Sequence, residues 1–130
     1  MFTSPPRRLV FLTYDDMNLL DLAGPLQAFA TANRISEGGG GTALYETIVA
    51  SSRGGSVTAS AGLSVDTLAL ASLDGMDIDT LIATGGCKGE EFTTCPDLVA
   101  WITRRAATVR RLCSVCTGAF LLAEAGQLNG

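Results

Sequence analysis

The chain has 130 residues, four cysteines, no histidine and a formal net charge of −4 at pH 7. This length suits one domain over residues 1–130, and the few, scattered basic residues exclude the cationic surface that duplex DNA requires. No apolar run reaches bilayer length and the N-terminus lacks the features of a secretory signal. We therefore expect a cytoplasmic chain with no membrane partner, and in that compartment the cysteines should be reduced.

The predicted strands are apolar runs that are almost continuous, a pattern typical of parallel strands covered on both faces. They are residues 8–14, 45–50, 80–84 and 112–115. Residues 57–65, punctuated by Gly62, predict a small hairpin or an irregular β excursion, and residues 52–55 predict a turn.

The predicted helices come from apolar residues that recur at helical spacing. They are residues 19 to about 33, a segment opened by residues 95–97, and residues 117–125 with a glycine cap. Pro25 is tolerated only near a helix start, so Asp21 is placed in or beside the first turn, facing the carboxyl end of the first strand. Strands that alternate with helices predict an α/β fold with a parallel sheet, whose binding crevice lies outside the carboxyl ends of the strands.

Two features that resemble binding motifs are better explained structurally. Residues 37–41 are rich in glycine but lack the lysine and hydroxyl of a phosphate loop, so we predict a flexible surface loop there. Four arginines gather after the second helix, at residues 104, 105, 110 and 111. Since cations stabilise a helix C-terminus, we prefer that explanation to a basic binding patch on an acidic chain.

The most informative stretch is Ser114-Val115-Cys116-Thr117-Gly118, where a strand meets a helix with almost nothing between them. So sharp a turn holds the junction residue in a strained conformation with its side chain exposed, and it needs small flanking residues. A helix N-terminus also favours the thiolate form of a cysteine. The sequence therefore predicts a nucleophile elbow at Cys116.

Two other segments are expected at the same edge of the sheet, namely Asp21 after the first strand and Gly85-Gly86 after the third. The backbone N–H groups of Gly86 and Thr117 are candidate oxyanion donors. A protonated Asp21 beside the thiolate could donate a hydrogen bond or move a proton. The alternative is a buried structural cysteine near a carboxylate at a helix N-terminus.

Two further uses of the cysteines were weighed. Cys113 and Cys116 spell C-x-x-C, but a redox pair of the thioredoxin type has both cysteines at the helix N-terminus, and here Ser114 and Val115 belong to the strand. A zinc site would need Cys87 and Cys95 as a second pair, with an unusual spacing and no histidine. Both uses are less favoured than the elbow, and we expect neither a metal nor a cofactor.

With these residues in place, the chain resembles the ThiJ/PfpI superfamily, which has the class I glutamine amidotransferase-like fold. The resemblance rests on residues 20–29, on the strand that leads into Gly85-Gly86, and above all on residues 114–126. It implies a flavodoxin-like parallel sheet sandwiched by helices, with a cysteine nucleophile elbow. Cys116 matches the nucleophile, Asp21 matches the acidic residue that hydrogen-bonds it, and residues 85, 86, 117 and 118 match the oxyanion- and ligand-binding backbone.

Two branches of that superfamily share the elbow motif. The Ala119-Phe120 step and the segment 123–126 are more similar to the N-terminal domains of AraC-family transcriptional regulators. This implies a module that senses a small-molecule ligand and forms homo-oligomers, with the DNA-binding helix-turn-helix domain outside this chain. The other branch implies an isocyanide hydratase-like enzyme that acts on a small carbon–nitrogen substrate through Cys116, with Asp21 as acid and base.

Two departures from the superfamily affect these expectations. There is no histidine to form a Cys–His pair, and Cys87 stands where proline or alanine is expected, which alters the oxyanion loop. Superfamily members also continue beyond the equivalent of Gly130, so we expect a domain that is incomplete at the C-terminus. With a mean hydropathy of +0.32, such a chain should carry an apolar exposed face or an extensive homo-oligomer contact.

Overall fold

The computed structural model describes residues 4–88, 91–92 and 95–129, without the side chains of residues 87, 88, 91 and 92. The strands are β1 (Arg7–Leu12), β2 (Tyr45–Ser51), β3 (Arg53–Thr58), β4 (Ser64–Ala69), β5 (Thr80–Ala83), β6 (Cys87–Lys88), β7 (Glu91–Phe92) and β8 (Arg111–Ser114). The α-helices are α1 (Leu19–Gly38), α2 (Pro96–Arg105) and α3 (Ala119–Glu124), and 3-10 turns span Leu70–Leu73, Ala106–Thr108 and Cys116–Gly118.

Six strands form one sheet in the order β3-β4-β2-β1-β5-β8, and β6 pairs with β7 in a separate ribbon. β1 lies in the centre because its apolar residues from Leu9 to Leu12 are buried on both faces. Phe11 stands opposite Val49 of β2 and Ile82 of β5, and both pairings are parallel. Only β3, which runs antiparallel to β4, breaks the parallel pattern. The predicted flavodoxin-like α/β fold is therefore confirmed.

Helix α1 packs on the sheet through an aromatic cluster. The Phe29 ring lies 6.3 Å from the Phe11 ring and 4.8 Å from the Tyr45 ring, both edge-on, the arrangement that aromatic pairs prefer. The Asn33 side chain then donates to the Tyr45 carbonyl at 2.8 Å and accepts from the Leu44 and Tyr45 N–H groups. These contacts join α1 to the start of β2.

Helices α2 and α3 share one cluster of side chains within the apolar core. Its fully buried members are Leu98, Trp101, Ile102 and Leu121. Pro96 occupies the first turn of α2, as predicted, where its missing N–H has no intrahelical partner to lose. Burial of side chains this large contributes about 1.5–3 kcal/mol each, so this cluster holds α2 and α3 in place.

Three sequence predictions need correction. Helix α1 continues to Gly38, so the predicted glycine-rich loop begins later than residue 37. Pro25 lies inside α1, in its second turn, although it was expected only near the start. The segment 52–55 is not a plain turn, because β3 begins at Arg53 and forms a regular hairpin with β4.

Two of the arginines in and after the last turn of α2 have specific structural partners. Arg105 stacks over Trp101 and donates to the Leu73 and Met76 carbonyls at 3.1 and 2.7 Å. Arg110 binds Asp79 with two N–H groups, at 2.7 and 3.1 Å. The structural explanation thus fits Arg105 and Arg110, but their partners are a neighbouring loop and a carboxylate rather than the helix end.

The surface of the described part of the chain carries several large apolar side chains. Leu20 and Ile35 on α1 are 73% and 71% exposed, and the others with high exposure are Leu44, Leu63, Leu68, Phe120 and Leu128. Among the described helices, none is both long and apolar enough to cross a bilayer.

The pair of Asp79 and Arg110 predicts a pH-dependent stability. The Arg110 guanidinium lowers the pKa of Asp79 from 3.8 to about 2. A carboxyl group with a lowered pKa adds stability that is complete above the unfolded value and is lost as the pH falls through the folded value. We therefore expect Arg110→Gln to melt a few degrees below the unmodified protein at pH 7, and the difference to vanish near pH 2, as measured by circular dichroism.

Arg111→Gln is the matched control for that experiment. Arg111 is the adjacent exposed arginine, and its side chain has no hydrogen bond in the described part of the chain. This variant should melt like the unmodified protein at both pH values. Equal melting of Arg110→Gln and Arg111→Gln at pH 7 would contradict a stabilising role for the pair.

Candidate functional site

Three loops meet at the carboxyl edge of the sheet, after β1, β5 and β8. The Asn18 N–H donates to the Gly85 carbonyl at 2.7 Å, and Met17 forms an isolated bridge with Gly86. The Val115 N–H donates to the Ala83 carbonyl at 2.9 Å. The three segments that the sequence placed at this edge are therefore joined by backbone hydrogen bonds.

Cys116 lies at the junction between β8 and α3. Its φ angle is +53°, in the left-handed region where a residue with a side chain costs about 1–3 kcal/mol. The side chain is exposed, and the 3-10 turn Cys116–Gly118 leads directly into α3. This backbone presents the thiol outward at the end of the strand.

Two glycines allow the loops to approach one another so closely. A Cβ atom on buried Gly118 would overlap the Ala83 carbonyl. A Cβ atom on Gly85 would lie 2.6 Å from the Thr117 hydroxyl and 2.8 Å from the Asp21 carboxylate. Each residue must therefore lack a side chain if the elbow is to pack against β5.

Asp21 lies in the first turn of α1, as predicted, and is 6% exposed. Its carboxylate accepts the Gly85 N–H at 2.9 Å. No hydrogen bond among the described residues joins it to the Cys116 thiol. The resemblance implied a direct bond between acid and nucleophile, whereas here the carboxylate holds the loop that borders the elbow.

The predicted oxyanion donors differ in their availability. The Gly86 N–H donates to the Thr117 hydroxyl at 2.9 Å, so an incoming oxyanion would have to displace that hydroxyl. The Gly118 N–H is engaged by the Val115 carbonyl. The Thr117 N–H has no acceptor in the described part of the chain, which leaves it as an available backbone donor.

Cys95 and Cys113, whose side chains the structure describes, do not form a metal-binding cluster with Cys116. Cys113 lies half-buried on β8 and Cys95 precedes α2, and both are free thiols. Among the described side chains, no three His, Cys, Asp or Glu residues come close enough to hold a metal ion. The side chain of Cys87, which the alternative zinc site required, lies outside the described residues.

Sequence reasoning missed two side chains at this edge. The Thr117 hydroxyl bridges the elbow and the Gly86 loop, although only the Thr117 backbone was considered. The Tyr14 hydroxyl donates to the Thr84 carbonyl at 2.8 Å and braces the loop from the other side. A tyrosine immediately after a buried strand was the available signal, because a buried Tyr hydroxyl nearly always finds an acceptor.

The family profile described as the DJ-1/PfpI family matches residues 7–130. The chain belongs to that family. Among curated proteins, the uncharacterized protein in the cpoL 5' region of Streptomyces lividans is 39% identical over 98% of this chain and 86% of its own length. The HTH-type transcriptional regulator GbdR of Pseudomonas aeruginosa is 33% identical over 96% of this chain, but this chain spans only 32% of GbdR.

Solved structures of other proteins show the same fold. A THiJ/PfpI family protein from Pseudomonas syringae superposes with a TM-score of 0.78 at 24% identity, covering 97% of this chain and 48% of that one. An AraC family transcriptional regulator from Pseudomonas putida superposes with a TM-score of 0.74 at 22% identity, covering 93% of this chain and 71% of that one. At these identities the likeness concerns the fold alone.

Gly118→Ala tests whether the elbow depends on contact with β5. The added methyl has no space beside the Ala83 carbonyl, so we expect the free energy of unfolding to fall by about 1–3 kcal/mol, measured by urea denaturation. Gly38→Ala is the control, because no atom lies within 4 Å of the added methyl and Gly38 is in the last turn of α1, where alanine is favoured by up to about 1 kcal/mol. If both substitutions have the same effect, the proposed close contact is wrong.

Proposed function

We propose that this chain is the ligand-sensing and dimerisation part of an AraC-type transcriptional regulator that acts in the cytoplasm. The observation that carries the proposal is the alignment with GbdR, which takes in 96% of this chain and 32% of the regulator. A second curated relative, the HTH-type transcriptional regulator Rv1931c of Mycobacterium tuberculosis, is 39% identical over 62 residues. On this proposal residues 1–130 form one partial domain, and DNA contact belongs to another part of the protein.

The proposed ligand site is the elbow with its bordering loops. Cys116 offers an exposed thiol, Thr117 offers a backbone donor, and buried Asp21 fixes Gly85 beside them. Gly86 and Gly118 allow the loops to come together without side chains between them. A small molecule with an acceptor atom could therefore bind the available Thr117 N–H beside the Cys116 thiol.

The proposed surface for self-association is an exposed stripe along α1. Its members follow one another at helical spacing and are Leu20, Gly24, Gln27, Thr31 and Ile35. The stripe ends in two large apolar side chains, each more than 70% exposed, and has small or uncharged residues between them. A helix of this kind can approach a second copy closely, burying apolar surface that each monomer leaves in water.

The nucleotide sequence after the codon of Gly130 tests the regulator proposal. We expect the reading frame to continue through further strands of the domain into a helix-turn-helix region. A stop codon soon after those strands would contradict the proposal and favour a free-standing enzyme.

Charge introduced on the α1 stripe tests self-association separately. We expect Ile35→Glu to shift the protein from dimer to monomer in sedimentation velocity, because apposed carboxylates would be desolvated in the contact. Leu63→Glu, at another exposed apolar position, is the matched control and should leave the dimer intact. A monomeric unmodified protein, or equal dissociation by both substitutions, would exclude the stripe.

A second candidate is a cysteine-dependent hydratase-like enzyme, and the strained, exposed thiol of Cys116 favours it. In that case Cys116 would attack the carbon of a small carbon–nitrogen substrate, and Asp21 would transfer a proton to nitrogen. Since no hydrogen bond joins Asp21 to the thiol among the described residues, such a step needs the substrate or a water molecule to bridge them.

Alkylation by iodoacetamide, followed at each cysteine by mass spectrometry, tests the reactive elbow. We expect Cys116 to react faster than Cys95 and Cys113 across the pH range, because it is the exposed thiol of the three. Asp21→Asn should change the alkylation rate of Cys116 while keeping an acceptor for the Gly85 N–H. Asp66→Asn, at an exposed position on β4, is the control and should change nothing. If Cys116 reacts no faster than a free thiol, the reactive elbow is wrong.

A further inference from the structure

A second concave site lies between α2 and the β3–β4 hairpin. Its cavity has a volume of about 340 Å³, within the lower range of small-molecule sites. Arg53 enters it from the start of β3, and Arg104 enters it from the last turn of α2. The lining includes neither Cys116 nor the loops that border it, so this site is distinct from the one proposed above.

The helix supplies most of one wall because its residues recur on one face. Asp97, Ala100, Trp101 and Arg104 follow a spacing of three or four residues. From Asp97 to Arg104 the helix rises about 10 Å. Leu70 and Ala71 complete an apolar floor. The lining therefore combines apolar side chains with two arginines and two aspartates.

The two arginines have donors to spare. In the described part of the chain, neither guanidinium has a hydrogen bond or an ion pair. A guanidinium offers a planar fork of N–H groups that matches a carboxylate. Asp97 is not their partner, because its carboxylate accepts the Ser52 hydroxyl at 2.7 Å.

The acidic residues limit the kind of anion that fits. Asp74 and Asp97 line the same cavity as Arg53 and Arg104, so the formal charges of the lining cancel. The two carboxylates repel a dianion such as phosphate more strongly than they repel a monoanion. The lining therefore favours a monoanion that binds the guanidinium groups. The apolar floor would contact the carbon skeleton of such a ligand.

A neighbouring cavity of about 410 Å³ shares Ser52, Arg53 and Asp97 and reaches Thr13 after β1. The two cavities together extend toward the carboxyl ends of β1 and β2, where α/β sheets commonly bind ligands.

We propose that the Arg53–Arg104 cavity binds a small monocarboxylic acid, with its carboxylate on the guanidinium groups and its apolar chain along α2. The proposal goes beyond the function given above and does not depend on it.

The only tryptophan of the chain provides a specific reporter. Trp101 lines the cavity, and its buried indole N–H has no acceptor in the described part of the chain. The indole therefore gives a single resonance in a ¹H–¹⁵N spectrum, and a ligand against the ring will shift it. Sodium butyrate is the probe, with sodium chloride and n-butylammonium chloride at equal ionic strength as comparisons.

We expect butyrate to shift the indole resonance along a saturable curve and both comparison salts to leave it in place. Arg53→Gln and Arg104→Gln should each weaken butyrate binding by about tenfold or more, the scale of one charged hydrogen bond. Arg34→Gln, at an exposed arginine on α1, should bind butyrate normally. Circular dichroism checks that each variant is folded, which is expected because these guanidinium groups make no hydrogen bond or ion pair with the described residues.

Several results would overturn the proposal. An unsaturable shift, or one that sodium chloride reproduces, shows an ionic-strength effect only. An equal response to n-butylammonium shows that the alkyl chain, not the carboxylate, is recognised. Unchanged butyrate affinity in the folded double variant Arg53→Gln with Arg104→Gln places the anion elsewhere on the protein.

Discussion

The hydrogen bond between the Asp21 carboxylate and the Gly85 N–H determines the geometry of the carboxyl edge. It connects the first turn of α1 to the loop after β5, and Thr117 connects that same loop to the elbow. Burying a carboxylate costs free energy unless it accepts a hydrogen bond. The Gly85 N–H supplies that hydrogen bond to Asp21, and the same bond fixes the position of the Gly85 loop. The position of the Cys116 thiol relative to the other two loops depends on this connection.

The strained backbone at Cys116 has to be stabilised by its surroundings. The cost of a left-handed conformation for a residue with a side chain is about 1–3 kcal/mol. The apolar side chains around Trp101 and Leu121 anchor α3, which follows the elbow, against α2, and the Val115 N–H anchors the strand end before the elbow to Ala83. The elbow is thus held by contacts that lie outside it, which is the usual arrangement where a strained residue is retained for function.

Much of this fold was predictable from local sequence patterns, because central strands must be apolar on both faces. The run at β1, the proline that begins α2 and the small residues around Cys116 each have one dominant physical explanation. The start of β3 was not predictable, since Gly54 and Gly55 adopt positive φ angles and suggest a turn, although β3 pairs with β4 from Arg53 onward. Residue 54 has to be a glycine because its backbone lies so close to Ala69 of β4 that a Cβ atom would clash. This reason becomes visible only once the pairing of β3 with β4 is known.

The finer details of the candidate site also depend on tertiary contacts. Asp21 was correctly placed in the first turn of α1, but its choice of Gly85 over the Cys116 thiol depends on loop positions that no local pattern encodes. No local pattern encodes the Thr117 side-chain rotamer either, although it is this rotamer that lets the hydroxyl accept the Gly86 N–H. The extension of α1 beyond Asn33 likewise follows from the bonds between Asn33 and the start of β2.

The bidentate contact between Asp79 and Arg110 lies just before β5 and β8, at the amino ends of the strands. Cys116 follows the carboxyl end of β8, so the two features occupy opposite edges of one sheet. Substitutions at well-separated sites without shared partners usually have additive effects. A substitution that removes the Asp79–Arg110 pair should therefore lower the stability of the protein without changing the backbone at Cys116, and a substitution in the elbow should leave the pair in place.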